Sequence, residues 1–204
     1  MQAKAREVPV LPVLQDLRAG TAKLHIRLEK QLPFFSDLLD TNAFQRLMQA
    51  YYGFYLPLEN ALLDSDVTPA DFDLVSRLKA PTLRQDLHAL GLSDEAIECL
   101  PVCQSLPAIS CRPTWLGVLY VLEGATLGGQ ILRREMASRL GLDADNGAAF
   151  LDIYGAETGR RWRSFIAYLG SRSLDSDERE AVVMAAQATF ACFECWLELR
   201  EVLI

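Results

Sequence analysis

Apolar residues recur at intervals of three and four along nearly the whole chain, and no stretch of useful length alternates apolar with polar. A three-four spacing lines up side chains on one face of an α-helix, whereas a half-buried strand needs a period of two. The chain is therefore confined to all-α architectures. Leu14, Leu17, Leu24 and Leu28 form a first stripe, interrupted at Thr21 and ended by Pro33. Thr41 is placed to cap a second helix, on which Phe44, Leu47, Met48, Tyr51, Tyr52 and Tyr55 recur. Pro57 is expected to bend that helix rather than end it, because Leu58 to Leu63 keep the pattern. Asp71 to Leu78 reads as a short helix. Pro81 suits the first turn of another, running to Leu90 and closed by Gly91, and Ser93 caps a piece ending near Leu100. Residues 101–113 carry three prolines and read as a loop. Pro113 opens a long helix to about Leu140, stopped by Gly141. Asn146-Gly147 is a turn, and a helix follows from about Ala148 to Tyr168, weakened by Gly155 and Gly159. Asp175 and Glu178 form a capping box for a last helix reaching nearly to Ile204. The expectation is one all-α domain over residues 1–204, with seven or eight helices and residues 1–12 as a poorly ordered N-terminal segment.

Composition narrows the function. With 204 residues, the chain matches one domain at about 150 residues each. Twenty Lys and Arg against 27 Asp and Glu leave a net charge of −7, which repels phosphate backbones, so no nucleic acid partner is expected. The N-terminal apolar run is short and broken by Pro9 and Pro12, unlike a secretory signal. Pro113 to Leu132 is long enough to consider as a membrane span, with Glu123 its only ionisable side chain. Its glycines, threonines and Gln130 favour a buried helix instead. The five cysteines are an odd number and suit a reducing, cytoplasmic setting. Cys192 and Cys195 lie in an apolar helical run and read as small buried side chains rather than metal ligands.

Only two histidines are present, His25 and His88, which excludes a histidine-rich zinc or di-iron centre. A site needing one imidazole remains open, and a haem held by a proximal histidine is the leading example. His25 lies beside the Leu24/Leu28 stripe. Arg18 is on the same side of that helix, about 10.5 Å away along the axis, and Glu29 lies one turn later. Glu29 can fix the imidazole tautomer. The competing reading is a partly exposed surface histidine with an ordinary acidic neighbour. His88, near a helix C-terminus, reads as structural. The second feature is YVLEGATLGGQILRRE, where Gly124, Gly128 and Gly129 interrupt an apolar helix. Each mid-helix glycine costs about 1 kcal/mol relative to alanine. Close helix packing through Gly124-x-x-x-Gly128 can offset that cost, and so can a flat ligand lying against bare backbone.

The segment T-x-x-L-H-x-x-L-E, Thr21 to Glu29, resembles the proximal helix of the haem oxygenases, and GATLGGQ, Gly124 to Gln130, resembles their distal G-D-L-S-G-G-Q signature. LYVLEGATLGGQIL is most similar to the bacterial branch associated with bacteriophytochromes. The resemblance implies a multihelical bundle holding haem between an N-terminal proximal helix and a glycine-kinked distal helix. It implies oxidative cleavage of haem to biliverdin with release of carbon monoxide and ferrous iron. Haem is then both substrate and prosthetic group, and O2 the co-substrate. A ferredoxin- or flavoprotein-type electron donor is implied, with a bacteriophytochrome as candidate acceptor of biliverdin. Carried over residue by residue, His25 is the iron ligand, supported by Glu29. Gly124, Gly128 and Gly129 form the distal wall, and Arg18, Arg161 and Arg163, with Tyr120 one turn before Gly124, are candidates for holding the propionates. One position departs: Ala125 stands where the family has an aspartate that orders water. That departure favours the alternative of a non-catalytic haem-binding or haem-sensing protein of the same fold.

Overall fold

The computed structural model describes residues 11–204. Eight α-helices are present among them: α1 (Pro12–Gln31), α2 (Thr41–Leu63), α3 (Ala80–Ala89), α4 (Asp94–Glu98), α5 (Arg112–Gly124), α6 (Gly129–Leu140), α7 (Thr158–Gly170) and α8 (Ser176–Leu199). No strand occurs among the described residues. Helix α8 organises the rest. Its capping box is formed as expected, Asp175 accepting from the Glu178 N–H and Glu178 accepting from the Asp175 N–H. On one side it meets α5, where Gly117 lets the two backbones close up. A Cβ there would drive into the Val182 carbonyl oxygen. On another side it meets α1, where Gly20 fits against Val183 and its carbonyl accepts from Gln187 at 2.9 Å. Trp196 donates its indole N–H to the Ala50 carbonyl of α2 at 2.7 Å. Leu17, Leu47, Leu58, Trp115, Val182 and Leu197 are fully buried in the core between these helices. Each such side chain contributes about 1.5–3 kcal/mol of transfer free energy.

Several boundaries differ from the sequence reading, each for a local reason. Residues 1–10 of the segment read as poorly ordered lie outside the described residues, but Leu11 and Pro12 open α1. Leu11 accepts the Leu14 N–H at 3.0 Å and packs over Gly170. Asp40, not Thr41, caps α2, accepting from the Ala43 N–H at 2.7 Å. Pro57 lies within α2, which continues through it. The Asp71–Leu78 helix is only a 3₁₀ turn at Val75–Arg77. Its backbone bonds close short turns instead of an α-helical ladder: Arg77 and Leu78 donate to the Leu74 and Val75 carbonyls, Asp73 accepts from the Ser76 N–H, and Asp71 is drawn to Tyr168 and Arg172. The long helix from Pro113 is broken by a 3₁₀ turn at Ala125–Leu127, with α6 bent 43° from the preceding segment. Gly141 ends α6 with φ +66°. The helix expected from Ala148 is two 3₁₀ turns followed by α7. Asp86 captures the first turn by accepting from Ala149 and Phe150, and Gly155, at φ +49°, interrupts the chain before Thr158.

Of the C-x-x-C pair, Cys192 is half-buried but Cys195 is exposed, so the expectation of two buried side chains fails at Cys195. Pro113 to Leu122 is largely buried within the fold. Among the described residues α8 is the one helix long and apolar enough to cross a membrane, and half of it is buried against its neighbours.

Candidate active site

The break between α5 and α6 faces α1 across a cavity of about 550 Å³, closed below by side chains of α2, α7 and α8. That volume is within the range of about 300–1,000 Å³ typical of small-molecule and cofactor sites. The first wall is the middle of α1. Thr21, which interrupted the leucine stripe, lines the cavity and returns its hydroxyl to the Leu17 carbonyl at 2.8 Å. His25 follows one turn later. Its Nδ1 lies 3.3 Å from a Glu29 carboxylate oxygen, and the two side chains are 53% and 62% exposed. The Phe190 ring of α8 meets the imidazole edge-on, with centroids 6.0 Å apart. Nδ1 is thus engaged, while Nε2 has no partner among the described residues. Arg18 also lines the cavity, and it makes no salt bridge or hydrogen bond among the described residues.

The opposite wall is main chain. Residues Gly124 to Gly129 line it with Tyr120 and Leu132. A Cβ added at Gly128 would meet nothing within 4 Å, and one at Gly124 would meet only the Trp162 ring at 3.8 Å. Gly129 is different: a Cβ there would drive into the Leu151 carbonyl oxygen. The two readings of the glycines therefore divide by position. Gly129 serves close packing, while Gly124 and Gly128 leave backbone bare toward the cavity. Gly124-x-x-x-Gly128 is not a helix–helix notch.

The remaining candidates lie apart. Arg161 donates to the Ser76 hydroxyl at 2.8 Å and stacks its guanidinium 5.0 Å from the Tyr154 ring centroid. Arg163 is exposed, and neither arginine lines the cavity. The residue of α7 that does is Trp162, whose ring lies 5.8 Å from that of Tyr120. Adjacent helical positions are rotated by about 100°, so a tryptophan facing inward carries its flanking arginines aside. His88 bonds the Leu92 carbonyl and Asp94, away from the cavity.

The sequence reading missed the aromatic floor. Tyr51, Tyr55, Phe150 and Phe193 line it, with Phe193 5.0 Å from Tyr51 and Phe150 5.3 Å from Tyr55. Burial pushes the Tyr51 and Tyr55 hydroxyls well above the usual phenol range, so both stay neutral donors. The signal was present in the three-four spacing on α2, where it reads equally well as ordinary core. An imidazole and an arginine without partners at Nε2 and the guanidinium among the described residues, a bare backbone wall and an aromatic floor fit a flat, apolar ring carrying iron and carboxylates.

Comparison with known proteins agrees. A family model for haem oxygenase matches residues 11–199, and the chain belongs to the haem oxygenase family. It is similar to a haem oxygenase of Xanthomonas campestris, 30% identical over 162 residues that span 78% of this chain and 91% of the relative. It is 28% identical to the haem oxygenase PigA of Pseudomonas aeruginosa over 188 residues, 90% of each. Its fold matches the haem oxygenase of Neisseria meningitidis at a TM-score of 0.72 and 20% identity, covering 96% of this chain and 94% of that one. Haem oxygenase-2 of Synechocystis matches at a TM-score of 0.74 and 20% identity, covering 93% and 85%. The protein is accordingly an oxidoreductase that degrades haem, with haem as substrate and prosthetic group and O2 as co-substrate. The non-catalytic alternative is set aside.

Proposed function

We propose that the chain opens the haem macrocycle to biliverdin, releasing carbon monoxide and ferrous iron, with His25 as proximal ligand. The observation that carries this is the placement of His25 on one wall of the cavity and bare Gly124–Gly128 backbone on the other. Bound haem supplies the iron at which oxygen is activated, and the protein supplies orientation and exclusion. Glu29 stands 3.3 Å from Nδ1, placed to take up an Nδ1–H and orient the ring, which leaves Nε2 as the free donor to iron. The bare glycines bring main chain close to the substrate without side chains in the way. Gly129 holds that wall against Leu151. Arg18 offers its unpaired guanidinium to a propionate, as a carboxylate partner at the cavity mouth. Arg161 and Arg163 have no place in the cavity wall and take no propionate in this reading. Tyr120 braces the distal wall through Trp162. Ala125 puts a methyl where the family has a carboxylate, so water on the distal side is left to backbone carbonyls and to the Thr126 hydroxyl.

The wider setting belongs to the same proposal. The electrons come from a separate ferredoxin- or flavoprotein-type donor. The five unpaired cysteines suit the cytoplasm. The biliverdin supplies a bilin chromophore, with a bacteriophytochrome as acceptor, or the reaction serves iron release. Ferric haem, the protein and a reductant in air provide the test. The Soret band should vanish while biliverdin absorbance grows and carbon monoxide is trapped. A Soret band that persists as a stable oxygen-bound spectrum would overturn the reading.

A further inference from the structure

The one ionisable side chain of the Pro113–Leu132 stretch has no place in the cavity. Glu123 directly precedes Gly124, at the last turn of α5, and it is 1% exposed. One of its carboxylate oxygens pairs with Arg77, and the other accepts from Lys79 Nζ at 2.8 Å and from the Tyr154 hydroxyl at 2.9 Å. Arg77 and Lys79 are themselves buried. Arg77 further donates to the Arg161 carbonyl and to Ser164 on α7, both at 3.3 Å, and Lys79 donates to the Arg77 carbonyl at 2.8 Å. Glu59 of α2, also buried, accepts the backbone N–H groups of Lys79 and Ala80 at 2.7 and 3.0 Å. Burial pushes the Glu59 carboxyl up, against those N–H groups and the charge of Lys79. Two cations and two carboxylates thus tie α2, the segment before α3, the turn at Tyr154 and α7 to one point on α5.

Buried ion pairs are a poor route to stability, since well-packed apolar residues of similar volume often do as well or better. The location of this cluster suggests a different use. The main-chain carbonyl of Glu123 accepts the Thr126 hydroxyl at 2.7 Å, inside the break itself. The side chain and the carbonyl of Glu123 are therefore both fixed one residue before α5 stops. Beyond it, Gly124 and Gly128 have little around them to hold their position, and glycine backbone is the freest to move. Ala125 offers no polar side chain to anchor the wall.

We infer that Glu123, clamped by Arg77, Lys79 and Tyr154, is a positioning residue for haem cleavage: it sets where α5 breaks and so where the bare Gly124–Gly128 backbone lies over the substrate. This rests on the cavity being the haem site. The charge-balanced variant Glu123→Gln/Lys79→Met removes one carboxylate and its paired ammonium together, breaking the clamp at unchanged net charge. Ferric haem affinity, from Soret titration, should stay within about twofold, because the cavity contacts are untouched. Single-turnover biliverdin formation should fall about tenfold, since misplacement by a fraction of an ångström suffices. The biliverdin isomer ratio should change as well. Tyr154→Phe, which removes one hydroxyl and keeps the ring, should give a smaller loss in rate, about threefold, at unchanged haem affinity and melting temperature. Unchanged rate and isomer ratio in a folded double variant would overturn the inference. If the double variant does not fold, the same null result in Tyr154→Phe would overturn it. A wild-type protein that binds haem but makes no biliverdin would instead sink the functional reading itself.

Discussion

The two walls of the cavity work by opposite means. On α1, function is carried by side chains on a regular helix, and His25 and Glu29 are more than half exposed. Across from it, function is carried by main chain at a helix break, where the useful property of Gly124 and Gly128 is the lack of a side chain. An exposed side chain on a sound helix can be changed with little effect on folding, because its removal leaves neither a cavity nor an unpaired buried group. A backbone wall has no such independence. Its glycines stand at the break between α5 and α6, and its position depends on packing at Gly129 and on buried charges behind it. The proximal wall should therefore separate activity from stability cleanly, and the distal wall should not.

His25→Ala gives the largest effect and the plainest test of that separation. Biliverdin formation should drop by about a hundredfold or more, as a mutation removing the essential group does. The free energy of unfolding without haem should change by no more than about 0.5 kcal/mol, and added imidazole should restore a histidine-like haem spectrum. Normal turnover in this variant, read by biliverdin absorbance, would remove His25 from the site. On the distal wall, two glycines one residue apart should respond in opposite directions. Gly129→Ala drives a Cβ into the Leu151 carbonyl and should cost about 1–3 kcal/mol in urea unfolding. Gly128 has ordinary helical dihedrals, φ −75° and ψ −19°, and open space beside it. Gly128→Ala should leave the protein as stable or up to about 1 kcal/mol more stable. Gly128→Leu, which fills the cavity, should block haem or carbon monoxide binding at unchanged helix content. Equal destabilisation by the two alanines would show that the two glycines share one packing role.

What was legible in the sequence follows the same divide. His25, Glu29 and Arg18 share one helical face, and a face is a local property that spacing reveals. The glycines were visible as a cost, but their division into packing and cavity positions depends on Leu151, a contact outside the helix. The clamp on Glu123 was hidden because its partners Arg77 and Lys79 lie 46 and 44 residues away. Arg77 also falls in the Asp71–Leu78 segment, a 3₁₀ turn rather than a helix, and its side chain reaches across to α5 and α7. Arg161 and Arg163 stand out in the sequence by their charge, yet the register of α7 turns Trp162 to the cavity, and register around a helix of mixed composition is decided by tertiary packing. The spacing of Tyr51 and Tyr55 marks them as core, and they are buried; that the same rings also floor a cavity is not encoded in that spacing.

The smallest effect expected on the proximal wall is at Arg18, and it sharpens the comparison because a side chain there should tune the reaction without touching the fold. Its guanidinium is exposed at the cavity edge and unpaired among the described residues, so contact with a propionate is worth about 1 kcal/mol, or a few-fold in affinity. Its larger consequence is angular. The floor of the cavity is aromatic and apolar, and such a surface resists rotation of a flat ring only weakly, so a single charged contact at the rim decides much of the ring's orientation. Arg18→Ala should weaken haem binding about fivefold in a Soret titration at low salt, and less at high salt, where exposed charge pairs are screened. The product mixture should broaden toward additional biliverdin isomers, separated by chromatography. Arg163→Ala, whose side chain is exposed and outside the cavity, should leave both affinity and isomers unchanged. If instead Arg18→Ala keeps the wild-type product and Arg163→Ala alters it, orientation is set from the α7 side, and the proximal wall holds iron alone.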